Sequence, residues 1–208
     1  MSNQKISAEL NAYRQFKKDF KFQMKEIVEK DGMQYCDGFP IYAPNGAFIP
    51  ECEKWLNVAY QIKNSLSKLL SNLYPYAFEF RGFHLQSIES FFQATKFKDP
   101  ELQRLVFSYK GTDAYHIQAA SAYNWKQTGI LYWQGTPVNR FGEDYAALVD
   151  EAYISAAQNP FYRQALKNVT KPIIHSIGNT SMTESIFARE EFERQINSLS
   201  QFIKEIDK

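Results

Sequence analysis

Apolar side chains divide this chain into segments with helical steps of three and four and shorter segments that alternate. Leu10, Tyr13, Phe16, Phe20, Met24 and Ile27 recur at steps of three and four, which places them on one face of a helix over residues 5–29. Breakers then crowd residues 31–50: Asp31-Gly32, Asp37-Gly38, Pro40, Pro44 and Asn45-Gly46, with room for short strands at 34–36 and 39–42. Pro50 opens the strongest helical stripe, Cys52, Trp55, Leu56, Ala59, Ile62, Leu66 and Leu69, ending near Asn72. Alternation of Phe78 and Phe80, an Arg81-Gly82 turn, then Phe83 and Leu85 predict a β-hairpin over 76–85. Further helices are predicted near 87–97, 100–108, 113–123, 143–158, 160–168 and 184–206. The last has capping-box spacing at Ser181 and Glu184 and a stripe of Ile186, Phe192, Ile196, Leu199 and Ile203. The expected fold is a multihelical, mainly α (α+β) single domain with a small β-hairpin.

Composition narrows the classes. The 208 residues are 44% hydrophobic and 23% charged, values of a folded domain. Aromatic residues reach 16%, with 17 Phe and 13 Tyr; they build cores first, and also line pockets for bases and sugars. A net charge of +1 gives no gross basic footprint for sequence-independent DNA binding. Cys36 and Cys52 form no Cys-x-x-Cys pair, and His84, His116 and His175 have no zinc spacing, so two reduced thiols and no metal are expected. The polar N-terminus and the lack of an apolar run of roughly 18 residues point to a cytoplasmic protein with no membrane partner. No Gly-rich phosphate loop occurs, and no cofactor is expected.

Candidate chemistry concentrates in residues 87–97. Glu89, Gln93 and Lys96 stand four and seven apart, hence on one face of a helix, while Ile88, Phe91, Phe92, Ala94 and Phe97 fill most of the remaining circumference. A helix this apolar is buried on most sides, so its polar stripe meets either solvent or a cavity. In solvent the stripe is ordinary surface. In an apolar cleft, desolvation raises the carboxyl pKa and lowers the amine pKa, bringing both toward neutrality.

The run Glu89, Phe92, Gln93, Ala94, Lys96, Phe97 resembles the signature of the NADAR superfamily, which includes the YbiA-type N-glycosidases. Leu70-Ser71-Asn72-Leu73 is similar to the family's upstream Phe-Ser-Asn-Phe motif. Trp133-x-Gly135 with Arg140 resembles a segment of the longer variants, and Asn159-Pro160-Phe161 through His175 and Gly178 resembles the closing region. The likeness covers roughly residues 70–206. Tyr145 stands where YbiA-type members carry Trp, and their C-terminal Asp-x-x-Trp-Gly motif has no counterpart. Residues 1–65 are expected to form a helical, turn-rich extension packed on a catalytic domain of 66–208.

The resemblance implies hydrolysis of an N-glycosidic bond to ribose. A carboxylate such as Glu89 serves an oxocarbenium-like transition state as acid, base or charge partner. The neutral amine of Lys96 can hold an opened sugar as a Schiff base. Ser71, Asn72, Gln93, Trp133, Arg140, Tyr145 and His175 are the expected substrate contacts. Asn72 is assigned to a ribose hydroxyl and Arg140 to a diphosphate, which a guanidinium grips with a paired fork. Trp125, Trp133 and Tyr145 are candidates to stack on a base, and core packing is the competing role for each. The leading substrate is an ADP-ribose conjugate, above all ADP-ribosylated guanine in nucleic acid; some family members act as antitoxins. A riboflavin-pathway phosphoribosylamino-pyrimidine is the metabolite alternative. A non-catalytic module that binds ADP-ribose or a partner protein is the third.

Overall fold

The computed structural model describes residues 3–63, 65–117 and 124–208. Helix α1 (Asn3–Asp19) stops well short of the predicted residue 29. Past it, Phe20, Phe22 and Met24 are half-buried and Lys21 and Gln23 exposed, so the chain there has the alternating burial of extended backbone. Ile27 then opens β1 (Ile27–Lys30), which pairs antiparallel with β2 (Met33–Cys36), itself paired with β3 (Phe39–Pro40). Asp31 and Gly32 between β1 and β2 both adopt positive φ, 53° and 72°, the backbone of a tight two-residue hairpin.

The helix expected from Pro50 shrinks to α2 (Leu66–Leu69). Trp55, Leu56, Asn57, Val58 and Ala59 form an unbroken buried run. Within it, β4 (Leu56–Asn57) lies parallel to β9 (Ile173–Ile174). The Leu56 N–H donates to the Pro172 carbonyl at 3.0 Å and the Trp55 indole N–H to the Cys36 carbonyl at 3.0 Å. A segment enclosed on every side has no solvent face for a period to report, so its helical spacing carried no information.

The predicted hairpin is present as β5 (Phe78–Phe80) and β6 (Phe83–Leu85), turned by Arg81 and Gly82 at positive φ. Helices α3 (Ile88–Ala94), α4 (Pro100–Phe107) and α5 (Gly111–Tyr115) follow. Of the helix predicted over 113–123, α5 takes the part up to Tyr115, and residues 118–123 lie outside the described residues. Next come α6 (Trp125–Thr128) and a second hairpin, β7 (Ile130–Trp133) with β8 (Thr136–Asn139). The chain closes with α7 (Glu143–Ala156), α8 (Pro160–Lys167), β9 and α9 (Arg189–Ile206). Helix α9 begins five residues later than predicted: Ser181 is not its cap, and the Glu191 carboxylate instead accepts the Ala188 N–H at 2.7 Å. The architecture is α+β, with its strands in small separate sheets.

Helix α1 packs on α7 and α9. The buried Tyr13 hydroxyl meets Ser198 Oγ at 2.8 Å, and Arg163 on α8 bridges Glu9 on α1 and Asp207 past the end of α9. With β4 paired to β9, the described residues 3–63 are woven into the body by both helix packing and strand pairing. No described helix is long and apolar enough to cross a membrane.

One close approach fixes the frame of the site. A Cβ on Gly111 would lie 2.0 Å from the Leu73 carbonyl oxygen and 2.5 Å from its Cα. Gly111→Ala is therefore expected to cost about 2 kcal/mol or more, the upper range for overpacking, because a main-chain neighbour cannot rotate away. Urea denaturation measures this; an unchanged midpoint would mean that the 71–73 loop moves freely.

Candidate functional site

Helix α3 presents its polar stripe to a cavity of about 740 Å³. Its start is fixed by Ser87, whose hydroxyl accepts the Ser90 N–H while Ser90 Oγ accepts the Ser87 N–H. Regular helix ends at Ala94, and a tight turn from the Gln93 carbonyl to the Lys96 N–H keeps Lys96 in line with the stripe. Three side chains then form a relay. Gln93 Nε2 donates to Glu89 Oε1 at 2.6 Å, and Lys96 Nζ donates to Gln93 Oε1 at 2.7 Å. The central amide joins acid to amine without letting them touch.

Burial sets the electrostatics. It raises the Glu89 pKa more than the Gln93 amide and the Lys96 charge lower it. It lowers the Lys96 pKa against the pull of Glu89, and the ammonium of Lys126 lowers it further. Both shifts favour the neutral forms, an acid that holds its proton and an amine with a free lone pair.

The wall beside Glu89 comes from the 71–73 loop. The Asn72 carbonyl accepts the Glu89 N–H at 3.0 Å, and Asn72 Oδ1 accepts the Tyr153 hydroxyl at 2.7 Å. Tyr153 is fully buried on α7, so it fixes the amide with its donor end free for a ligand among the described residues. Ser71 Oγ closes the loop's own turn by accepting the Leu73 N–H at 3.3 Å. His175 supplies another wall. Its Nδ1 faces the Val58 carbonyl at 2.8 Å, and a carbonyl only accepts, so Nδ1 carries the proton and Nε2 is left as an acceptor. Burial lowers the His175 pKa, which keeps the ring neutral. Beneath it, Glu193 Oε1 accepts both the His175 N–H at 2.7 Å and Arg189 Nε at 2.6 Å, and Arg189 also donates to the Lys25 carbonyl.

Six of the nine residues expected from sequence thus converge on one cavity: Ser71, Asn72, Glu89, Gln93, Lys96 and His175. Three do not line it. Trp133 packs in an aromatic core with ring centroids 4.9 Å from Phe80 and 5.6 Å from Phe107. Arg140 is 1% exposed and spends its guanidinium on Glu191 at 2.9 and 2.5 Å and on the Ser185 carbonyl at 3.1 Å. Tyr145 donates to the Ile186 carbonyl at 2.8 Å. Arg140 and Tyr145 therefore hold the 185–186 wall from behind rather than meeting a ligand. Sequence reasoning missed Tyr153 as a support, and it missed Val58, Tyr60 and Gln61, which bring the N-terminal third of the chain into the lining. No local signal marks those residues; strand pairing between β4 and β9 delivers them.

The family model for bacteriophage protein GP30.3 matches residues 64–201. The chain belongs to this family. The matched region holds α3, the 71–73 loop, His175 and most of α9, so the relay lies within it. An uncharacterized 17.1 kDa protein from the Gp30-rIII intergenic region of Enterobacteria phage T4 is 34% identical over 134 residues, covering 62% of this chain and 87% of the phage protein. No solved structure matches. The first 63 residues fall outside the family match, although Val58, Tyr60 and Gln61 line the same cavity.

Proposed function

We propose that this GP30.3-family protein is an N-glycosidase that cleaves a base from ribose, with ADP-ribosylated guanine in nucleic acid as its leading substrate. The observation that carries the reading is the Glu89–Gln93–Lys96 relay inside a walled cavity, with the Asn72 amide and the neutral His175 ring beside it. Its residues also carry the NADAR resemblance. A cavity of about 740 Å³ falls in the range of roughly 300–1,000 Å³ typical of small-molecule sites.

In this mechanism Glu89 gives its proton to the leaving nitrogen as the C1′–N bond breaks. The cationic C1′ is then taken by water, or by the neutral Lys96 amine, whose two protons pass to the Glu89 carboxylate and to O4′ as the C1′–O4′ bond breaks and an imine forms. In the amine route water hydrolyses the imine, returning the amine and releasing the sugar. In this reading the Asn72 amide holds a ribose hydroxyl.

One finding favours a smaller substrate as a second reading. Arg140, the expected diphosphate fork, is committed to Glu191, so a simple N-riboside needs less from the cavity than ADP-ribose does. The deciding assay incubates the protein with an oligonucleotide carrying ADP-ribosylated guanosine and detects free ADP-ribose by mass. Release supports the leading reading. No release, with cleavage of a small N-riboside, would transfer the assignment to the second.

A further inference from the structure

Both routes end on a water that must lose a proton as it attacks C1′. In the amine route Glu89 has regained its proton by then and Lys96 is bound in the imine, so the base comes from another wall. Outside the relay, the ionisable groups lining the cavity are Tyr60, Tyr115, His116, Lys126, His175 and Glu184. Tyr115 and His116 are exposed at the rim, Tyr60 lies beneath the Lys68 ammonium at 4.6 Å, and Glu184 is tied to Lys126 at 2.6 Å. Among these described groups, His175 alone combines partial burial with a free basic nitrogen. Everything else on it is fixed. Nδ1–H is on the Val58 carbonyl at 2.8 Å, the main-chain N–H is on Glu193 at 2.7 Å, and the main-chain carbonyl accepts the Gly178 N–H at 2.9 Å. Val58 is itself held, its N–H donating to the Ile174 carbonyl at 2.9 Å. Gly178 leaves room for the ring, since a Cβ there would stand 2.5 Å from His175 Cδ2. The ring packs on Phe192 at 4.7 Å, and Phe192 continues through Phe187 to Phe92 on α3, an aromatic floor that joins His175 to the relay helix. Burial lowers the His175 pKa, so the Nε2 lone pair is present at neutral pH.

We infer that His175 is a general base of this site, whose Nε2 takes the proton of the water that attacks C1′ in the product-forming step. The inference rests on the N-glycosidase reading and adds a third catalytic group to it. In the amine route the water oxygen bonds to C1′ of the imine, one water proton passes to Nε2, and Nζ takes the proton of Glu89. The hydroxyl proton of the resulting carbinolamine then returns to the Glu89 carboxylate as the carbonyl forms. The imidazolium returns its proton to Nζ as the C1′–Nζ bond breaks, so all three side chains regain their starting forms. In the water route the same nitrogen takes a proton from the water that fills the empty orbital of C1′, and releases it to solvent. In both, the Val58 carbonyl keeps Nδ1 protonated and its dipole favours the transient imidazolium. A base whose tautomer is set by a fixed acceptor behind it is the arrangement that general-base histidines share.

The test uses two substitutions and a small base. On whichever of the two substrates the wild type cleaves, His175→Gln and His175→Ala are each expected to lower turnover by about 10²-fold, the low end for a positioned acid–base group. Glutamine fills the place of the ring with a hydrogen-bond acceptor that is not a base, whereas alanine leaves that place open. Imidazole added to the buffer is therefore expected to restore turnover of His175→Ala saturably and to leave His175→Gln and Glu89→Gln unchanged. A purely structural histidine gives no such rescue. Turnover of His175→Gln within about threefold of wild type would show that only a hydrogen bond is needed there, and overturns the base. So does a His175→Ala protein that unfolds cooperatively in urea yet does not respond to imidazole. Wild-type protein that cleaves neither substrate sinks the glycosidase reading and the base together; an active His175→Gln beside an active wild type sinks the base alone.

Discussion

Lys96→Ala is expected to abolish release of ADP-ribose, and Glu89→Gln to cut turnover by about 10²-fold or more, the usual weight of a positioned acid–base group. Both variants should still bind ADP-ribose, because Asn72 and its Tyr153 support do not depend on either side chain. Glutamine at 89 keeps an oxygen for the Gln93 amide to donate to, so the relay's geometry survives while its proton does not. A reductive-trapping experiment adds a readout that a structural role would not move. Borohydride added during turnover should leave a sugar adduct on wild-type protein and none on Lys96→Ala. Wild-type turnover without an adduct would remove the imine and leave water as the nucleophile.

The same pair makes a stability prediction of definite sign. The folded-state pKa of Glu89 is raised, so its contribution to stability is fully present below the unfolded carboxyl pKa and is lost as pH rises through the folded value. The folded-state pKa of Lys96 is lowered, so its contribution is lost as pH falls through that folded value. For each group burial outweighs the attraction of the other. At neutral pH the fold therefore carries the cost of both, as functional sites commonly do. Glu89→Gln should raise the urea midpoint at pH 7.5, and the gap over wild type should close near pH 4. A variant less stable than wild type at pH 7.5 would mean that the ion-pair attraction dominates, and the acid role of Glu89 would lose its physical basis.

The local parts of this site could be read from sequence and the remote parts could not. Glu89, Gln93 and Lys96 lie within one helix and the turn that ends it, so spacing alone put them on one face. The Arg81-Gly82 hairpin and the stripe from Phe192 to Ile203 were equally local. By contrast, β4 meets β9 from over a hundred residues away, and its buried run carries no period that separates strand from helix. Tyr153 supports Asn72 across 81 positions. The second hairpin escaped because Leu131 and Trp133 alternate over only four residues, too short a run to outweigh its helical neighbours. Arg140 shows the sharper difficulty. A guanidinium in a family-like position looks the same in sequence whether it meets a phosphate or a carboxylate of its own chain.

Arg140→Met is the variant that decides which of these it does. The side chain is buried, its guanidinium lies 5.1 Å from the Tyr145 ring centre, and its two terminal nitrogens pair with both oxygens of Glu191. Removing one partner of a buried ion pair costs about 3–5 kcal/mol, since the other charge stays desolvated. Glu191 keeps a quarter of its side chain exposed, so the low end, about 3 kcal/mol, is expected. The Ser185 carbonyl also loses its donors, and with it the 185–186 wall loses its anchor. Adding Glu191→Met should return part of the stability, because it removes the stranded carboxylate, although the Ala188 N–H then loses its acceptor. Urea denaturation of the two single variants and the double variant measures the coupling. Affinity for ADP-ribose should fall only as far as the wall loosens. If Arg140→Met leaves stability unchanged and weakens ADP-ribose binding tenfold or more, the guanidinium reaches the ligand after all. In that case Glu191 is its resting partner, exchanged for the diphosphate on binding.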